Sequence, residues 1–114
     1  MVTNAAFRKL ALSFDGAQEL PHFDKASFRV SKKIFATLDT KLSLACFGLS
    51  ESDQAMYCSY DKSIIYPVPN KWGKRGATYV ELKKVNRDLL LAVLTTSYCR
   101  VAPKKLAAKY QEAN

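Results

Sequence analysis

The segment Lys71-Trp72-Gly73-Lys74-Arg75-Gly76 sets three cations and the chain's only tryptophan beside two glycines. Basic side chains neutralise phosphates, an indole stacks on a base or sugar, and glycine lets a backbone approach a ligand closely. This is the chemistry of polyanion recognition. The same residues also admit a structural role, in which the glycines supply positive φ and Trp72 folds back to cap the core. The spacing is not GxxxxGKS/T, so a nucleotide P-loop is not indicated. A second basic group, Arg100, Lys104 and Lys105, falls between two helical stretches. Lys104 and Lys105 lie near a helix N-terminus, where cations are unfavourable unless an anion visits. Lys32-Lys33 and Lys83-Lys84-Arg87 are further basic groups, each readable as a solvated face.

Other chemistries have less support. His22, in Leu20-Pro21-His22-Phe23, is the only histidine, with Asp15, Glu19 and Asp24 nearby in sequence but no HxxE or HExxH spacing. It reads as a turn or core histidine, since a catalytic relay needs partners that one sequence cannot bring together. Cys46, Cys58 and Cys99 are odd in number, widely spaced and without a CxxC pair. They are expected to be free thiols, forming neither a disulfide framework nor a zinc site. No cofactor or metal is expected.

Charge is distributed unevenly. The chain of 114 residues carries 18 Lys and Arg against 10 Asp and Glu, a formal net charge of +8. Residues 68–114 hold ten of the basic residues against only Glu81, Asp88 and Glu112. Such a balance favours polyanionic partners, although cationic surface also serves solubility. Hydrophobic residues at 48% and charged residues at 25% exclude a disordered or collagen-like chain, and the length suits one domain spanning 1–114. No run approaches the roughly 18 apolar residues of a membrane span, and the first residues lack a signal-peptide pattern. The expected compartment is the cytoplasm.

Helical spacing of Phe7, Leu10, Ala11 and Phe14, with Asn4 as N-cap, predicts a helix over 4–14. Residues 18–23 suit an edge strand, because Pro21 cannot donate within a central one. Alternation over 26–30 and 33–38, joined through Ser31-Lys32, predicts a hairpin, and a further strand is expected at 41–47. Ser50 and Asp53 begin a helix that runs to Tyr60. Residues 63–70 are extended because of two prolines, 70–76 form an exposed loop, and 77–82 are a strand. Asn86 caps a helix over 87–98 with Leu89, Leu90, Val93, Leu94 and Tyr98 on one face, and Pro103 opens a last helix, 103–112. Strands followed by helices without regular βαβ alternation define an α+β domain, an antiparallel sheet with helices packed on one face. The other face is left for water or a partner.

Leu20-Pro21-His22-Phe23, Ser27-Phe28-Arg29-Val30 and Lys33-Ile34-Phe35-Ala36-Thr37-Leu38 resemble the first half of the MmcQ/YjbR-like family. Tyr66-Pro67-Val68-Pro69-Asn70-Lys71-Trp72-Gly73, Gly76-Ala77-Thr78-Tyr79-Val80 and Ser97-Tyr98 through Val101-Ala102-Pro103-Lys104-Lys105-Leu106 resemble the second half. The resemblance spans about residues 5–108. It implies a CyaY/frataxin-like or double-wing architecture and a DNA-binding role, itself an inference from fold. Matching basic and aromatic positions are Lys71, Trp72 and Lys104. Frataxin-like iron binding is not implied, because the first helix offers Arg8 and Lys9 and only Asp15 near its end.

The sequence reading is therefore a non-enzymatic DNA-binding protein. Phosphates would be met by Lys71, Lys74, Arg75, Lys104 and Lys105, with a partly buried Trp72 shaping the loop at the edge of the contact. An alternative is a protein-interaction module using the uncovered sheet face and the tyrosines Tyr57, Tyr60, Tyr66, Tyr79, Tyr98 and Tyr110. A third is a small enzyme acting on an anion around His22.

Overall fold

The computed structural model describes residues 1–111, so the last residue of the expected 103–112 helix lies outside the described residues. The chain runs α1 (Asn4–Leu12), β1 (Gln18–His22), β2 (Lys25–Val30), β3 (Lys33–Asp39), β4 (Leu44–Gly48), α2 (Glu51–Cys58) and β5 (Ile65–Pro67). It continues through α3 (Lys71–Lys74), β6 (Ala77–Glu81), α4 (Arg87–Val101) and α5 (Lys104–Gln111). Ser50 and Asn86 cap α2 and α4 as expected, accepting from Asp53 N and Leu89 N at 3.1 and 2.8 Å. The cap of α1 is Thr3 rather than Asn4: its hydroxyl accepts from Ala6 N at 3.0 Å, while the Asn4 amide donates to Thr40 O. Pro103 precedes α5, and its carbonyl accepts from Leu106 N and Ala107 N.

The strands form one antiparallel sheet in the order β1-β2-β3-β4-β6-β5. Ser31 and Lys32 join β2 to β3 with φ of 50° and 71°, the pair of positive values that matches a tight hairpin to strand twist. Strict alternation in β3 is broken by a bulge. Phe28 pairs with Ala36 and Arg29 with Ile34, so Phe35 is the extra residue. Both Phe35 and Ala36 are consequently buried, together with Leu38. β4 starts at Leu44, later than the expected 41–47, because Asp39 Oδ1 accepts from Lys41 N and Leu42 N and holds 39–42 in a turn. Ala45 and Phe47 point inward, and Leu42 is exposed.

The long helices cover a single face of the sheet. Phe7 of α1 meets Phe28 and Phe47 edge-on at 5.4 and 6.2 Å, and Tyr98 of α4 packs against Phe35 and Phe14 at 5.4 and 4.8 Å. The Ser97 hydroxyl donates to the carbonyl of the bulged Phe35, supplying a partner where ladder pairing is interrupted. Tyr57 of α2 is buried with its hydroxyl against Thr96 and Ala92 of α4. Leu90, Val93 and Leu94 complete the apolar stripe of α4. The opposite face carries the cross-strand row Ser27, Thr37, Cys46, Tyr79 and Tyr66, with Tyr66 and Tyr79 5.8 Å apart.

Burial, reinforced by the nearby Tyr110 and Asp15, pushes the Tyr98 phenol up to about 12, and its hydroxyl donates to Asp15 O at 2.6 Å. Unfolded tyrosine ionises near 10, so from about pH 10 to 12 the unfolded chain loses a proton that the native state keeps. Stability therefore falls as pH rises through that window. Tyr98→Phe should lower stability by about 1 kcal/mol at pH 8 and flatten the alkaline decline. Urea unfolding followed across that pH range reads both effects.

Candidate nucleic-acid interface

The basic segment is built by close backbone approach. Pro67, Val68 and Pro69 keep the incoming chain extended, and Asn70 turns it by accepting from Trp72 N at 2.8 Å. Residues read from sequence as a plain loop thus contain one helical turn, α3. A Cβ on Gly73 would lie 1.8 Å from Val68 O, and one on Gly76 the same distance from Leu49 O. Gly76 also has φ +110°, open only to glycine. Leu49 N donates to Gly76 O at 3.0 Å, and Val68 N to Ala77 O at 3.0 Å. The Gln54 amide, reaching from α2, lies within bonding distance of Gly73 O, Ala77 O and Thr78 Oγ1 at 2.8, 3.1 and 3.1 Å. Both glycines are buried, and Lys71, Trp72, Lys74 and Arg75 are left exposed.

Trp72 retains 54% of its accessible surface, more than an indole folded back onto the core would. Lys71 Nζ and Arg75 Cζ stand 5.6 and 5.5 Å from its ring centroid, within cation–π range. Lys74 lines a neighbouring hollow with Lys71, Gln54, Pro67 and Asn70. The ion pairs among the described residues are Arg8–Glu19, Lys25–Asp24 and Lys109–Asp15. None involves a cation of the 71–76 segment.

Strand register places Val30, Lys33, Gly48 and Ala77 at one end of the sheet. The 71–76 segment leads into β6 at this end. The Arg100 guanidinium reaches it too, since a Cβ on Gly48 would lie 3.6 Å from Arg100 Nη1. Lys104 and Lys105 are exposed in the first turn of α5, whose Leu106 lies, like Val30, beside Gly16. The structure therefore brings Lys71, Trp72 and Arg75 together, with Arg100 beside Gly48, and leaves Lys104 and Lys105 on a separate helix. Gln54 and Gly48 were not legible as site residues. A glutamine in a short amphipathic helix reads as surface, and a glycine at a strand end reads as a turn.

The remaining candidates are dispersed. His22 sits by the β1–β2 turn with its ring 4.9 Å from that of Phe23. Cys46, Cys58 and Cys99 are free thiols, and burial pushes each above the usual range. Among the described residues no three His, Cys, Asp or Glu are grouped to hold a metal ion, and no helix is long and apolar enough to cross a membrane. The tyrosines do not make one surface. Tyr57 and Tyr98 are buried in the core, whereas Tyr66 and Tyr79 are half-buried on the uncovered face. The Tyr66 hydroxyl donates to Glu81, and burial together with that carboxylate pushes it up to about 12.

The YjbR family model matches residues 12–100. The fold is similar to the crystal structure of the Deinococcus radiodurans protein DR2400, which carries the DUF419 family domain. The TM-score is 0.77 at 18% sequence identity, with 96% of this chain and 88% of that chain covered. No curated protein matches the chain.

If glycine contacts set this segment's shape, Gly73→Ala and Gly76→Ala should each cost about 2–4 kcal/mol of stability, the range of backbone strain and overpacking. Lys74→Ala and Arg75→Ala should stay within about 0.5 kcal/mol. Trp72→Ala should cost about 1–2 kcal/mol, in line with half-burial and below the 3–5 of a packed aromatic. Denaturant unfolding of the five variants measures the contrast.

Proposed function

The chain belongs to the YjbR family, and from that premise we propose that it is a cytoplasmic DNA-binding protein that needs no cofactor and catalyses no reaction. One observation supports this most directly. Lys71, Lys74 and Arg75 project from a segment whose backbone is clamped by Gly73, Gly76 and Gln54, and no carboxylate pairs with them among the described residues. Cations held on a rigid turn without internal partners can exchange counterions for phosphates without first breaking an ion pair. Lys104 and Lys105 extend the contact along the backbone from α5, at the same end of the sheet. Trp72 borders the contact.

A second reading, a protein-interaction module, draws on the other end of the molecule. Phe23 is 92% exposed at φ 60°, next to a partly exposed Leu20 on the edge strand β1. An aromatic in that conformation carries some strain without burial in return. A partner at the hairpin would bind with little dependence on salt.

Salt separates the readings. With about four phosphates neutralised, log K against log salt should slope by about −3 to −4 for duplex DNA. Lys74→Ala or Lys105→Ala should each reduce the slope by about one while leaving Phe23→Ser without effect. Fluorescence anisotropy with labelled DNA over a salt series supplies the measurement. Absence of binding to any DNA at low salt would remove the proposal.

A further inference from the structure

On the uncovered face, side chains become small toward the end of the sheet where Trp72 stands. Phe47 and Thr78 face the helices, so their neighbours Gly48 and Ala77, which pair with each other, face outward. Of the next outward row, which ends in Tyr79 and Tyr66, Thr37 and Cys46 lie beneath a hollow beside Trp72. Glycine, alanine, threonine and cysteine leave a low floor. Ile34 lines one side and Trp72 and Arg75 the other of this open hollow of about 340 Å³. Its walls are mostly apolar carbon, one of them is aromatic, and cations stand around the mouth: Lys71 and Arg75 against the indole, and Arg100 against Gly48.

We infer that this slot receives an unpaired nucleobase of a single DNA strand, resting on the reading of the protein as DNA-binding. An open, mostly apolar hollow beside an indole suits a planar ring, and the surrounding cations suit a ring that carries anionic groups a short distance away. A nucleotide within a strand has both. An aliphatic chain would gain nothing from the cations, and a base inside a duplex is already stacked on both faces and cannot enter without being extruded. Lys71, Arg75 and Arg100 meet the flanking phosphates, and Trp72 stacks on the base. The preference for single strands over duplex thus arises from stacking, while charge acts on both.

The single tryptophan makes the test direct, because all indole fluorescence comes from position 72. The full chain is titrated with a single strand of about twelve thymidines and, at the same salt, with a duplex of about that length. The expected result is quenching of Trp72 emission by the single strand and about tenfold tighter binding than to the duplex. Trp72→Ala should weaken single-strand binding about tenfold or more, a larger loss than it causes for the duplex. Gly48→Val, whose backbone is open to any residue and whose Cβ would meet only Arg100 at 3.6 Å, fills the floor and keeps the indole. It should abolish the quenching. Equal affinity for both DNAs, unchanged emission on single-strand binding, or full single-strand affinity in Gly48→Val would overturn the slot while leaving salt-dependent DNA binding in place. Failure of both DNAs to bind at low salt would overturn the slot and the underlying reading together.

Discussion

One-sided burial governs this molecule. A sheet of six strands whose apolar side chains pack under helices on one face must send every second residue to the other face, and each departure from period two has to be accommodated. The β2–β3 bulge is such a departure. It adds Phe35 to the buried set beside Ala36, so that Phe35 can meet Phe14 and Tyr98, and the carbonyl it disturbs is taken up by Ser97 from α4. A buried hydroxyl at that point therefore serves the sheet as much as the helix that carries it.

The same parity shapes the surface proposed for binding. Because Phe47 and Thr78 are claimed by the core, Gly48 and Ala77 are turned outward, and the sheet end has almost no side-chain relief of its own. Relief is supplied by the 71–76 segment, which is attached by its backbone and not by its side chains. Gly73 and Gly76 press against the carbonyls of Val68 and Leu49, and Gln54 reaches from α2 to the carbonyls on either side. With the backbone satisfying the packing, Lys71, Trp72, Lys74 and Arg75 have no structural duty that would bury them. Backbone packing and solvent exposure thereby fall to different residues of one six-residue stretch.

Electrostatics follows the same division. The ion pairs of Arg8 with Glu19 and Lys109 with Asp15 bind α1 to β1 and α5 to the α1–β1 connection. Being exposed, they contribute little to stability. The cations around Trp72 interact instead with the face of an indole, an attraction that is compatible with continued solvation and with exchange for a ligand.

Much of this was legible in the residue order. Periodicity located the strands and long helices, Ser50 and Asn86 marked their helix starts, and the run from Tyr66 to Gly76 signalled both the family and a basic segment. Those features are local, depending on neighbours within a few positions. What tertiary structure alone decided concerns residues distant in sequence. The bulge at Phe35 depends on pairing with β2, and the inward set of β4 depends on where the Asp39 turn releases the chain. The two glycines could be seen to permit unusual backbone, yet only the positions of Val68 and Leu49 reveal that what they require is room for a carbonyl oxygen. Likewise Gln54 and Gly48 carry no sequence signal, because an amide and a missing side chain acquire meaning only from what the fold places against them, and Arg100, legible as one of a basic group, is set beside Gly48 only by the fold.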